Sequence, residues 1–287
     1  MRVQPTVSSL EAANAYWMAR LSRSVYRASG HDRRPDEGAI LAELRAEDPG
    51  FLSITGVSRH SAQAILVEHR DYLAISFRGT DELLDWLDNL NALTVQAPFG
   101  PCHRGFLHSV LDLWEPVQDR FRELHQQHPR GLFLTGHSLG GAMATVAGAL
   151  LLHHGIPFTA AYTFGQPRAL TADSARHYHR VAGSRTFRFQ NNNDLISRAP
   201  TRLLGFTHVG TLLSICDRGL IHREAPPRRR RQPLRDLRRL GLEAVRQHGM
   251  DRYLEAVGQW QLVQGEARPW RVAASEPEDE PCERRSA

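Results

Sequence analysis

The stretch Gly136-His137-Ser138-Leu139-Gly140 constrains this chain more than any other. Ahead of it runs Leu132-Phe133-Leu134, short and apolar, which reads as a buried strand. From Leu139 to His153 the chain is rich in alanine, glycine and leucine and reads as a helix. A strand that becomes a helix within so few residues leaves the flanking positions little room for side chains, hence the glycines. It also forces Ser138 into a strained backbone. The serine hydroxyl then stands at the carboxyl end of a sheet, over the first turn of a helix whose N–H groups face a developing negative charge. In that setting a G-x-S-x-G serine acts as a nucleophile. The competing reading is a structural glycine-rich turn.

The rest of the chain supplies the alternation that such a turn needs. Ser9 to Arg27 reads as an amphipathic helix, and Ala64 to Glu68 and Tyr72 to Phe77 as strands. Leu107 to His128 reads as helix, with Pro116 expected to break it. Phe158 to Phe164 is a strand, Pro167 to His179 a helix and Arg185 to Phe189 a strand, while Leu204 to Leu213 adds one or two more. Leu234 to Gln247 and Met250 to Val257 read as closing helices. Strands alternating with helices predict an α/β fold, a mostly parallel central sheet with helices on both faces. With 41% hydrophobic and 23% charged residues the chain is expected to be globular. Three cysteines (Cys102, Cys216, Cys282) are too few and odd in number for a disulfide scaffold.

A nucleophilic serine needs a base, and the base needs an orienting carboxylate. Where this turn is used, the acid precedes the base along the chain. Phe187-Arg188-Phe189 ends in Gln190-Asn191-Asn192-Asn193-Asp194, and Asp194 is the only carboxylate there. The alternative is an aspartate that merely caps a turn. Three histidines lie downstream. His222 sits beside arginines, where positive potential lowers its basicity, and His208 reads as a strand histidine. His248 lies just before a helical run and is favoured, against a plain surface histidine.

Taken in order, these blocks resemble the class 3 lipases, the fungal triacylglycerol lipase type of the α/β-hydrolase superfamily. Phe77-Arg78-Gly79-Thr80 is similar to that family's oxyanion segment, and Gly136 to Ala142 to its elbow. Thr163-Phe164-Gly165-Gln166-Pro167-Arg168 is similar to the strand–turn that follows. Asn192-Asn193-Asp194, and His248-Gly249-Met250 with Tyr253-Leu254, are similar to its acid and base segments. The resemblance implies a triad of Ser138, Asp194 and His248, with Thr80 and Leu139 donating N–H groups to the oxyanion. It implies hydrolysis of lipid acyl esters through an acyl-enzyme, with no cofactor and no metal. His137 and His103 read as structural. Pro200 stands later after the acid than the family's proline usually does. Alternatives are a phospholipase or small-ester esterase with the same triad, or a catalytically silent module that binds membrane or nucleic acid.

Three surface features complete the reading. Leu83, Trp86, Leu87 and Leu90 share one helical face, with acids largely opposite; the resemblance implies that this segment is a lid over the site, and the alternative is a plain surface helix. All 36 basic residues are arginine, and ten of them fall between Arg218 and Arg246 as a basic insertion in one domain spanning residues 1–273. Within it, Arg228, Arg229, Arg230 and Arg231 suit peripheral contact with anionic membrane. Nucleic acid is disfavoured, since no aromatic residues interleave. Residues 274–287 read as a disordered acidic tail. The start of the sequence shows no secretory signal and no apolar stretch is long enough to span a bilayer, so a cytoplasmic location is expected.

Overall fold

The computed structural model describes residues 2–29, 34–80, 93–191, 194–223, 248–260 and 262–263. Nine strands form the central sheet: β1 (Phe51–Arg59), β2 (Ala62–His69), β3 (Tyr72–Phe77), β4 (Gly131–His137), β5 (Ala160–Phe164), β6 (Thr186–Asn191), β7 (Thr211–Ile215), β8 (Ile221–His222) and β9 (Leu262–Val263). They lie side by side in chain order. Strands β3 to β7 are mutually parallel. At one edge β1, β2 and β3 form an antiparallel meander, and at the other β8 turns back on β7.

Helices cover both faces because successive side chains of each strand point to opposite sides. Leu132 and Leu134 pack with α3 (Arg104–Gln127) and α4 (Leu139–His153), through Val110, Leu113, Val146 and Leu150. Phe133, between them, packs with α1 (Ala12–Ser24) and α2 (Glu37–Glu47), through Trp17, Leu21 and Leu44. After these come α5 (Ala172–Ala182), on the first face, and α6 (Met250–Gln259), on the second. Helices α3, α4 and α5 carry the crossovers β3 to β4, β4 to β5 and β5 to β6. Each large apolar side chain so buried contributes about 1.5–3 kcal/mol.

Several expectations are corrected. Pro116 does not break its helix: α3 runs unbroken from Arg104 to Gln127. The proline removes one hydrogen bond, a cost of about 3 kcal/mol, but Leu113 and Val117 on either side are both buried and hold the two halves in line. Helix α5 starts later than expected, after a short strand at Leu170–Thr171 that joins residues 94–97, 100–103 and 206–207 in a second, four-stranded sheet. Strand β1 and helix α2 were not anticipated. The buried residues of β1, Phe51, Ile54 and Val57, do not alternate, and a bulge between Phe51 and Ser53 shifts its register. The acidic tail, the lid segment and most of the arginine insertion lie outside the described residues.

The carboxyl ends of β4, β5 and β6 and the first turn of α4 face the same rim of the sheet. Ser138, just past β4, and Asp194, just past β6, stand at that rim.

Candidate active site

The turn between β4 and α4 is built from backbone. Ser138 has φ 58° and ψ −129°, a conformation that L residues other than glycine rarely adopt. Its N–H donates to the Phe164 carbonyl on β5 at 2.8 Å, and its own carbonyl accepts from Gly141 N at 3.0 Å. The glycines are compulsory. A Cβ on Gly136 would stand 2.4 Å from the Gly140 carbonyl, and one on Gly140 would stand 2.1 Å from the Phe77 carbonyl. Ser138 is buried, and its Oγ has no hydrogen-bond partner among the described residues.

Asp194 follows the end of β6 and is fully buried. Its Oδ1 accepts from Ile196 N at 2.9 Å. Its Oδ2 accepts from two sides, from His248 Nδ1 at 2.8 Å and from the Tyr253 hydroxyl at 2.5 Å. A carboxylate can only accept, so Nδ1 carries the imidazole proton and Nε2 presents its lone pair. That Nε2 is buried and has no partner among the described residues. Gly165, at φ 60°, leaves room for His248: a Cβ there would meet the His248 ring at 2.8 Å and Asp194 Oδ2 at 2.9 Å. The preceding residue, Phe164, holds Ser138 N, so one strand end positions Ser138, Asp194 and His248 together.

His137 ties the two halves. Its Nε2 lies 2.7 Å from the His248 carbonyl, which can only accept, so Nε2 carries the proton and Nδ1 accepts from the Tyr26 hydroxyl at 3.0 Å. Burial first, and then the neighbouring His248, hold His137 well below the usual histidine range, hence neutral. Tyr26 also lies under the Arg78 guanidinium, 5.4 Å from its ring centroid, and against Gly79. Thr80 follows directly, and Gly79 sits so close to the elbow that a Cβ would come within 3.0 Å of Ser138 Cβ. Leu139, the first residue of α4, has an N–H with no carbonyl four residues behind it to accept it inside the helix.

The other sequence candidates lie elsewhere. His208 Nε2 donates to the Ser197 carbonyl at 2.8 Å, and His222 pairs in β8, between β7 and β9. Cys102 and His103 belong to the four-stranded sheet; burial pushes the Cys102 thiol up to about 12, and His103 packs on Phe106 and Phe206. Leu83, Trp86, Leu87 and Leu90, and Arg228 to Arg231, fall outside the described residues. Tyr26 and Tyr253 were not anticipated in these roles, although Tyr253 stands in the segment that resembled the family.

Residues 74–204 match the lipase (class 3) family. A secreted mono- and diacylglycerol lipase of Fusarium solani is 31% identical over 144 residues, 48% of this chain and 42% of the relative. A chloroplastic phospholipase A1 of Arabidopsis thaliana is 28% identical over 177 residues, 54% and 39% of the two chains. The chain thus spans less than half the length of either. Lipase II from Rhizopus niveus superposes with a TM-score of 0.60 at 19% identity, over 72% of this chain and 82% of that one, a likeness of fold. The cytoplasmic expectation is overturned, because the relatives are named as secreted or chloroplastic. The packing of the core records nothing about compartment.

Proposed function

We propose, on the match of residues 74–204 to the lipase (class 3) family, that the chain is a serine hydrolase of lipid acyl esters. Ser138 Oγ attacks the ester carbonyl while His248 Nε2 takes its proton, and Asp194 holds the imidazole and balances its positive charge. The Thr80 and Leu139 N–H groups, with the Thr80 hydroxyl, receive the oxyanion. Losing one such donor costs about 100- to 1000-fold in turnover. The imidazolium protonates the departing alkoxide, and water then releases the acid from Ser138 by the same route. The observation that carries this reading is a pair of complementary buried atoms. Among the described residues, a lone pair on His248 Nε2, fixed by Asp194, and a hydroxyl on a strained turn are both without hydrogen-bond partners.

No cofactor or metal enters this chemistry. The name of the Fusarium relative favours neutral glycerides as substrates, and that of the Arabidopsis relative a phospholipase A1 reaction. The face of Leu83, Trp86, Leu87 and Leu90 acts as the lid, and Arg228 to Arg231 contact anionic membrane. Absence of a rate jump as substrate passes its solubility limit counts against the lid, and unchanged vesicle binding after neutralising the four arginines counts against the contact. The primary test is hydrolysis of short- and long-chain p-nitrophenyl esters by wild type and Ser138→Ala. The variant should lose about 10⁶-fold in kcat; equal rates would exclude Ser138 as nucleophile. Monoacylglycerol against phosphatidylcholine then decides the head group.

A further inference from the structure

The loop that begins at Asp194 has an opposite, outer end. Leu195, Leu203 and Leu204 are 42%, 97% and 54% exposed. Leu203 stands in water on a single helical turn, Arg202–Leu204, closed by Gly205 at φ 82°. Arg198 and Arg202 are exposed on the same loop, and residues 195–205 contain no carboxylate. One exposed leucine needs no explanation. Three in a single loop, interspersed with arginines, form the pattern of a surface that meets lipid.

The loop is also held in place. His208 Nε2 donates to the Ser197 carbonyl at 2.8 Å, and Ser197 Oγ to the Asp194 carbonyl at 2.8 Å. Arg168 N donates to the Ala199 carbonyl at 2.7 Å, and its guanidinium to the Arg198 and Pro200 carbonyls. A preformed loop binds without first losing conformational freedom. Its electrostatic field is positive. Beneath it Arg188, held by the Val209 carbonyl at 2.6 Å, is drawn down to about 9 by burial and then by Arg168 and Arg202. Among the described residues neither Arg188 nor Arg202 pairs with a carboxylate. Because the loop leaves the carboxyl end of β6, it stands on the rim that carries Ser138.

We propose that residues 195–204 form a docking tip for an anionic phospholipid surface. Leu195, Leu203 and Leu204 enter the acyl boundary, and Arg198 and Arg202 meet headgroup phosphates. This deepens the ester-hydrolase reading, on which it rests, by naming the surface from which substrate is drawn.

The test is partition of the full chain onto phosphatidylcholine vesicles with and without phosphatidylglycerol. Wild type should bind the anionic vesicles more tightly. Leu203→Ser with Leu204→Ser should weaken binding about tenfold or more. Arg198→Gln with Arg202→Gln should weaken it about fivefold per charge and remove the preference for anionic lipid. All four positions are exposed, and unchanged hydrolysis of a soluble short-chain ester shows that the variants fold. No vesicle binding by wild type, leucine variants that bind like wild type, or binding lost only on neutralising Arg228 to Arg231 each overturns the proposal. Failure of wild type to hydrolyse the soluble ester sinks the enzymatic reading instead, while the vesicle measurement still decides the docking tip.

Discussion

The elbow and the acid–base half of the site are held by different means. Around Ser138 the geometry is set by main chain against main chain: two glycines whose missing side chains would strike carbonyl groups, and a serine N–H clamped by β5. Around His248 it is set by side chains from separate segments, with Tyr253 on Asp194 and His137 on the His248 carbonyl. A site made of backbone admits almost no variation. A site made of side-chain hydrogen bonds can lose one and keep its shape. The elbow should therefore fail by unfolding, and the acid–base half by slowing.

Gly140→Ala sets the first side of that contrast. Its Cβ would overlap the Phe77 carbonyl, so stability should drop by upward of about 3 kcal/mol, with hydrolysis lost, as thermal melting and rates would show. A variant that melts like wild type would mean that the elbow is not backbone-limited. Acid should act instead on buried histidines, inside and outside the acid–base half. Burial holds His137, and burial with the nearby arginines holds His208, well below the ordinary value of 6.5. Above pH 6.5 both are neutral folded or unfolded, and nothing is at stake. Below it the unfolded chain takes protons that the folded state refuses, so stability falls as pH falls, by about 1.4 kcal/mol per pH unit for each histidine. Urea unfolding between pH 7 and pH 5 measures the slope, which should flatten in His208→Gln.

Tyr253→Phe removes one donor to Asp194 and leaves His248 Nδ1 in place. We expect kcat to fall about tenfold with KM unchanged. An equal rise in KM would show a binding defect rather than a loosened base. Gly205→Ala should have the smallest effect. With φ 82° but nothing within 4 Å of an added Cβ, it should cost about 1–2 kcal/mol of strain and leave hydrolysis of soluble esters untouched.

The same contrast explains what could be read from the sequence. The elbow is local: strand, glycines, serine and small-residue helix are consecutive, so the turn and the alternation around it were legible. Asp194 stood out as the sole carboxylate beyond a strand end. His248 was harder, because its place depends on Gly165 and on a carbonyl held by His137, neither of which leaves a mark near residue 248. The hydroxyls of Tyr26 and Tyr253 were invisible as partners for the same reason: a tyrosine on a helix looks like core until its neighbours are known. Helix α3 shows the reverse error, where a local rule about Pro116 was overridden by the packing of Leu113 and Val117.

The bonds from Tyr26 to His137 and from His137 to His248 each span 111 residues of chain. Contacts of such separation close late in folding, after local strands and helices have formed. A chain emerging from the ribosome will complete its elbow while residue 248 is still unsynthesised, and α6 must then dock before the imidazole reaches Asp194. On the proposed activity, ester hydrolysis would report completed folding of this chain, and a partly folded intermediate with an intact elbow would be inert toward lipid.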